Sequence, residues 1–535
     1  MWTPSRREFL GASTQGLAAL QLSAAATDKI PVGLVASSHS KLPKPSPVDD
    51  PLDYPRVRDM VWKAIEYGRP RAGSLEAKIK PGSWVVIKPN IVALPPRPTY
   101  RTGDVTDQRV IKAIIEYLGE KSRASRITVA EGGSYRRIGD PLPDNVLRQN
   151  GVQVDALTAD WGEEFAGFRG TMGDVLKEAN ARFPGKKFDY VDLSYDALTD
   201  ASGQFRYVEV PRSPNGVGAF SSKKEYVPAK TILDCDFLID APVMKIHLMC
   251  GISACFKNYV GTAPRVVYAS PGMFSNTGLH RDHTVDNRVD PFLVDLAAFH
   301  PPDYCVVDAI RGLQYSEHRI DRADQEVRSN LILAGEDPVA VDAIAANIMG
   351  FQVVDMEFLH LAVQRQMGVM DLRGIDVVGE APDRVRRRWG KPRNWYGRCN
   401  REWRLTQDAA ADMRAWQRFT SPIDTLRLTE WRKPASDSAI YKAAVRVIAS
   451  GHRKAFLWVG VRGIVTAILN GAKVMQEEGV TRYRPGQFQA PVELHSGENL
   501  LVFEVKPVSG QADLSVLLTG PENDGDTVEG IRWEA

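Results

Sequence analysis

Between about residues 53 and 379, short apolar runs rich in β-branched side chains alternate with stretches whose apolar positions recur every three to four residues. The runs are WVVIKPN, RITVAEGG, FDYVDL, ILDCDFLIDAP, YCVVDAI, NLILAGE and GIDVVGE, and the helical patterns include DQRVIKAIIEYLGEK and DPVAVDAIAANIMGF. A further helix is expected near residues 144–150 and a further strand at VQVDAL. This alternation predicts βαβ units and an α/β domain: a doubly wound, mostly parallel sheet with helices on both faces. In the last hundred residues the period shortens to strict alternation, in AIYKAAVRVIAS, KAFLWVGVRG, IVTAILNGAKVMQ and APVELHSGENLLVFEVKP, with Gly, Asn and Ser at the turns. That pattern predicts a smaller C-terminal all-β sandwich.

At 535 residues the chain is too long for one core, so several units are expected. The pattern divides it into residues 1–27, a 28–55 arm rich in Pro and Ser, the α/β domain over 56–380, a basic tryptophan-rich connection over 381–435 and the sandwich over 436–535. Lys and Arg number 68 against 66 Asp and Glu, so charge offers no argument for a nucleic-acid partner. The connection carries Trp389, Trp395, Trp403, Trp416 and Trp431 among arginines. Such interleaving can bind single strands or anionic sugars, but docking of the tryptophans onto the main domain is the plainer expectation. Five cysteines without a CxxC pair predict no iron–sulfur cluster and read as buried small apolar residues.

The opening SRREFLGASTQGLAALQLSAAA resembles a twin-arginine export signal, with paired Arg6 and Arg7, a mildly apolar stretch and a small-residue cleavage region. The resemblance implies passage through the twin-arginine export machinery to a periplasmic or extracellular location. No later apolar run reaches the roughly 18 residues a spanning helix needs, so no transmembrane helix is expected.

In open α/β sheets ligands bind beyond the carboxyl ends of the strands. The polar residues there are Lys88 and Asn90, Glu131, Lys245 and His247, and Asp308. Lys245 and His247, two apart on an extended segment, share a side. A strand, a turn near Gly251 and a helix through GISACFKNY would bring Lys257 back to the same strand end. Asp337 before Pro338 reads as a helix N-cap. GLHRDHTVDNRVDP gathers His280, Asp282, His283 and Asp286, side chains able to ligate a divalent metal, although a solvated loop is the plainer reading.

The phrases VVIKPNIV, TGDVTDQRVIKAIIEYL, ITVAEGG, LIDAPVMKIHLMCGISACFKNYVG, VVDAIRG and AGEDPVAVDAIAANIMG, in that order, resemble the domain of unknown function 362 family over roughly residues 80 to 380. The resemblance implies a cluster of Lys88, Asn90, Thr106, Glu131, Lys245, His247, Lys257, Asn258, Asp308 and Asp342, with a histidine near His280. The C-terminal order resembles the jelly-roll accessory modules of secreted carbohydrate-active enzymes, which implies a glycan as that module's candidate partner. Lysines around one crevice favour an anion, and a desolvated lysine or a histidine near neutrality can move protons. The expectation is therefore an exported enzyme acting by acid/base or metal-assisted chemistry on a small anionic substrate, a sugar acid or glycan-derived compound being the candidate. Lys245, His247, Lys257 and Asp308 are its expected catalytic groups; Lys88, Asn90, Thr106, Glu131 and Asn258 bind substrate, and Asp308, Asp342 and His280 are the candidate metal ligands. The alternative from another class is a secreted binding protein that captures a ligand or metal. The plain structural alternative is an ion-pair network that closes the sheet ends.

Overall fold

The computed structural model describes residues 29–39, 52–92, 103–131, 170–269, 279, 288–317, 322–392, 395–408, 412–436 and 439–535. The expected export signal, the 144–150 helix, the VQVDAL strand and the cluster around His280 lie outside the described residues.

Ten strands of the first domain matter here: β1 Ile30–Ala36, β2 Trp84–Pro89, β3 Arg126–Ala130, β4 Lys187–Val191, β5 Phe237–Ala241, β6 Lys245–His247, β7 Gly251–Ser253, β8 Tyr304–Leu313, β9 Glu326–Gly335 and β10 Ile375–Gly379. Eight form one sheet in the order β10-β1-β9-β8-β5-β2-β3-β4. β9 runs antiparallel to both its neighbours, and every other pairing is parallel. The sheet is thus largely but not wholly parallel. An apolar run carries no mark of direction, which is why NLILAGE did not betray its reversal.

Along the strands successive side chains enter opposite cores. Val85 and Ile87 join one apolar cluster with helices α1 Tyr54–Tyr67, α2 Gln108–Lys121 and α3 Met172–Arg182. Val86, Leu238, Cys305 and Val307 join the other, with α4 Cys255–Asn258, α5 Asp290–Ala297, α6 Pro338–Ile348 and α7 Glu357–Gln364. Asp337 caps α6 as expected: its side chain accepts from the Ala340 N–H at 2.9 Å, and Pro338 occupies the first turn.

Two boundaries differ from the sequence expectation. The 28–55 arm is not all arm, because Ile30–Ala36 is a strand inside the sheet, with Val32, Leu34 and Val35 fully buried. Its Pro and Gly read locally as punctuation, whereas its partners β9 and β10 come from the far end of the domain. The 381–435 connection likewise supplies strands to the C-terminal sheet, at Glu402–Thr406, Gln417–Thr420 and Leu426–Arg427. Trp389 and Trp395 are buried in the α/β core and Trp403 in the C-terminal one, in line with docking.

The C-terminal region is one curled ten-stranded sheet rather than two independent ones. Its 17-residue strand Arg453–Leu469 is shared: the first half pairs with Phe488–Leu494 and Asp513–Thr519, the second with Ala472–Val480 and Gly497–Lys506. The sheet wraps a separate core that includes Leu457, Val459, Val465 and Phe503. Between the two regions lies a buried ionic knot. Arg288 pairs with Glu357 at 2.6 Å, Arg401 with Glu357 at 3.0 Å and with Asp424 at 2.8 Å, and Arg398 with Asp424 at 2.7 Å.

Candidate functional site

Strand register builds the site. Lys88 on β2 stands opposite Asp240 on β5, and Asp240 stands opposite Cys305 on β8. Because neighbouring residues in register share a face, the three form a polar rung across an otherwise apolar face, and none of them is exposed to solvent. Such a rung requires internal partners. The Lys88 ammonium donates to Glu131, the first residue after β3, and to Asn258 Oδ1 at 3.1 Å.

The segment from Cys255 to Gly261 lies on this rung. Asn258 donates from Nδ2 to Asp240 Oδ1 at 2.6 Å and to the Lys88 carbonyl at 3.1 Å. Cys255, one turn before Asn258, brings its thiol to Asp240 and Cys305: the three residues offer ligand atoms within 4.8 Å of one another. Gly261, a turn after Asn258, passes so close that a Cβ there would sit 2.6 Å from both Lys88 Nζ and Glu131 Oε2. Asp342 fixes the start of α4, accepting from the Cys255 N–H at 2.8 Å and the Phe256 N–H at 3.1 Å. Its role is that of a helix cap.

The second half of the site is the β6–β7 hairpin, with Lys245 opposite Ser253 and His247 opposite Gly251. The turn falls at Leu248–Cys250, just before Gly251, and the helix begins only at Cys255. Lys245 Nζ donates to Asp104 Oδ1 at 2.9 Å and to Asn90 Oδ1 at 3.0 Å. His247 Nδ1 accepts from the Met249 N–H at 3.2 Å, which leaves the ring proton on Nε2, 3.3 Å from Glu317 Oε1. Glu317 Oε2 accepts from the Leu248 N–H at 2.9 Å. Trp395 supports the hairpin from below, against Gly251, whose φ of +83° and absent side chain allow the ring to approach.

The Asp104–Asp107 segment joins the parts. Thr106 Oγ1 donates to the Ala241 carbonyl at 2.7 Å and accepts from the Asn90 N–H at 2.8 Å. Asp308 accepts from the backbone N–H groups of Asp107, at 2.8 Å, and Ile310, at 2.9 Å. Asp308 therefore anchors backbone behind the site.

Lys257 differs from the other two lysines. Lys88 and Lys245 are buried and paired, whereas Lys257 is half-buried and its ammonium makes no hydrogen bond or ion pair among the described residues. Burial pushes its pKa down, aided by the Lys245 and Lys88 cations and opposed by Cys250 and Glu317. Burial raises the carboxyls too. Glu131 is raised despite Lys88 and Arg265; Asp308 is pushed up to about 7, helped by Asp107; Asp342 is pushed up to about 6 against its two N–H donors. Asp240 lies well above the usual carboxylate range, burial outweighing Lys88 and Asn258, and its Oδ2 has no hydrogen-bond partner.

Lys88, Asn90, Thr106, Glu131, Lys245 and Asn258 are thus one connected network, with His247 and Lys257 beside it. Asp308 and Asp342 serve the backbone. Among the described residues, Asp240, Cys255 and Cys305 come together closely enough to hold a divalent metal; of the expected ligands Asp308, Asp342 and His280, the last lies outside the described residues. In sequence Asp240 reads as part of a buried strand and the cysteines as buried apolar residues. Their one signal is a charged residue second from the end of an apolar run. Asp104 and Glu317, which complete the lysine and histidine contacts, stand in loops outside any apolar period, although Asp104 falls within the phrase TGDVTDQRVIKAIIEYL.

Residues 186–347 match the family model described as Domain of unknown function (DUF362). This stretch is a DUF362 domain. It holds Lys245, His247, Lys257, Asn258, Asp308 and Asp342, whereas Lys88, Asn90, Thr106 and Glu131 precede it. No curated protein matches the chain. Among solved structures, a β-glucosidase from Kluyveromyces marxianus in complex with glucose is similar at 9% identity, TM-score 0.18, over 23% of this chain and 17% of that one. A family 35 carbohydrate binding module from an environmental isolate is similar at 15% identity, TM-score 0.14, over 18% of this chain and 72% of that one. An FMN-binding β-glucuronidase from Facaelibacterium prausnitzii L2-6 is similar at 17% identity, TM-score 0.16, over 22% of each chain. Likenesses this slight carry no argument about ligand or activity.

Proposed function

We propose that the chain is an enzyme that binds a small anion, of the sugar-acid or a related carboxylate class, beside Lys257 and moves a proton on it. The observation that carries the reading is the Lys257 ammonium, without a partner among the described residues and set among groups that are otherwise paired. A half-buried cation with no ion pair or hydrogen bond among the described residues is a standing site for an anion. Burial, aided by the Lys245 and Lys88 charges, lowers its proton affinity, which suits a lysine that exchanges a proton during turnover. His247, held by the Met249 N–H and Glu317, supplies a second proton-carrying group with a fixed tautomer. Lys88, Asn258 and Glu131 set the floor on which Lys257 is carried. The twin-arginine pattern at the N-terminus supports an exported enzyme, which fractionation of the producing cell checks.

The test is ¹H NMR in D₂O with D-glucuronate, D-galacturonate and lactate, following the proton next to the carboxylate. The reading expects loss of that signal with the parent and not with Lys257→Met or His247→Gln. Folded variants that exchange it as the parent does would overturn the assignment. Binding without exchange would assign the residues to a binding protein instead, a second reading supported by the burial of nearly every other polar group here.

A further inference from the structure

Asp240, Cys255 and Cys305 take no part in the proton chemistry proposed above, yet they are the described His, Cys, Asp and Glu residues grouped closely enough to hold a metal ion. We propose that they form an intramolecular site for a thiophilic divalent cation of the zinc class.

Two strands and a helix start fix the three residues. Asp240 and Cys305 are held side by side by the β5–β8 register, and Cys255 is held over them by the Asp342 cap on α4. Their ligand atoms lie within 4.8 Å of one another. Tetrahedral zinc, with bonds of about 2.0 Å to oxygen and 2.3 Å to sulfur, separates its ligands by roughly 3.3 to 3.8 Å. Closing the set onto a metal therefore takes rotamer adjustment and a shift on the order of 1 Å, within side-chain reach.

A second observation points the same way. Asp240 is fully buried, and among the described residues its Oδ2 has no hydrogen-bond partner although Oδ1 is satisfied by Asn258. An orphaned buried carboxylate oxygen is costly, and a cation beside it would remove the cost. On binding, each thiol and the Asp240 carboxyl give up any proton they hold to solvent, and two sulfur–metal bonds and one oxygen–metal bond form. The divalent ion and three anionic ligands then carry one net negative charge, and Lys88, in register with Asp240, stands next to it. Two thiolates among three ligands select zinc over calcium or magnesium. With all three side chains buried, the metal enters as the domain folds, so the site is structural.

The full chain, produced in medium supplemented with Zn²⁺ or Co²⁺, tests this by elemental analysis and absorption spectroscopy. The proposal expects about one metal per chain in the parent and, with cobalt, a thiolate-to-metal charge-transfer band. Cys255→Ser and Cys305→Ser should lose at least tenfold of the metal, and Asp240→Asn should weaken retention, while Cys235→Ser should keep both metal and band. A metal-free parent, cobalt without the band, or unchanged metal in folded Cys255→Ser and Cys305→Ser would overturn it. So would a Cys255–Cys305 disulfide in the intact-mass and thiol count of the parent. Should the cysteine variants not fold, Asp240→Asn and the cobalt spectrum of the parent decide in the same way.

Discussion

The Lys88–Glu131 pair offers a sharp test of the buried rung. Replacing Lys88 by Met keeps most of the apolar stem and removes the ammonium. Glu131, only 3% exposed, then loses its ion-pair partner and keeps only the more distant pull of Arg265, and Asn258 Oδ1 loses a donor. Removing one partner of a buried pair costs about 3–5 kcal/mol, because the other charge is left desolvated. At about 2–4 °C per kcal/mol for a domain of this size, the midpoint of the α/β domain should fall by roughly 6–20 °C. The penalty should also depend on pH. Burial already raises the Glu131 pKa against the pull of Lys88, and losing Lys88 raises it further. A carboxyl with a raised folded pKa binds its proton more tightly in the native state, so native stability falls as pH rises from the unfolded value through the folded one. The deficit of Lys88→Met should therefore be largest at neutral pH and shrink on acidification, and adding Glu131→Gln should restore most of it. Calorimetry across pH reads this directly. A parental midpoint for Lys88→Met at neutral pH would refute the description of the rung as buried and paired.

Three further outcomes follow from the same packing. Gly261→Ala places a Cβ 2.6 Å from Lys88 Nζ and Glu131 Oε2, and overpacking of this kind should cost about 1–3 kcal/mol in thermal unfolding. Trp395→Ala removes a ring that packs on Gly251 and on Phe351 at 5.1 Å. It should cost about 3–5 kcal/mol and speed hydrogen exchange in the 245–253 hairpin while leaving the C-terminal sheet protected. Asp337, pushed up to about 6 by burial, favours its protonated form in the fold, so its contribution is present at low pH and lost as pH rises from about 4 to about 6. Asp337→Asn, which caps comparably, should flatten that part of the stability–pH profile.

The positions of Lys88, Glu131 and Lys245 were legible because a lysine or glutamate ending a β-branched run in an α/β pattern has few other places to be. What was not legible depends on register. That Lys88, Asp240 and Cys305 align is decided by pairing between strands far apart in the chain. Cys255, Asn258 and Gly261, spaced one turn apart, reveal a common face only once the rung they cover is known. A carboxylate near a strand end, such as Asp308, looks the same in sequence whether it meets a ligand or backbone; in the fold it accepts from two backbone N–H groups. The reversed β9 and the early β1 escaped for a related reason: apolar runs announce burial but not direction or partner.

Lys257, a cation unpaired among the described residues, is proposed to receive the anion. Isothermal titration of the full chain with D-glucuronate, D-galacturonate, lactate and inorganic phosphate measures it most directly. The account predicts that one of these carboxylates binds at one per chain, that Lys257→Met weakens it at least tenfold, about 1.4 kcal/mol, and that affinity falls as salt rises. Equal affinity of the parent and a folded Lys257→Met protein for every anion that binds would contradict it.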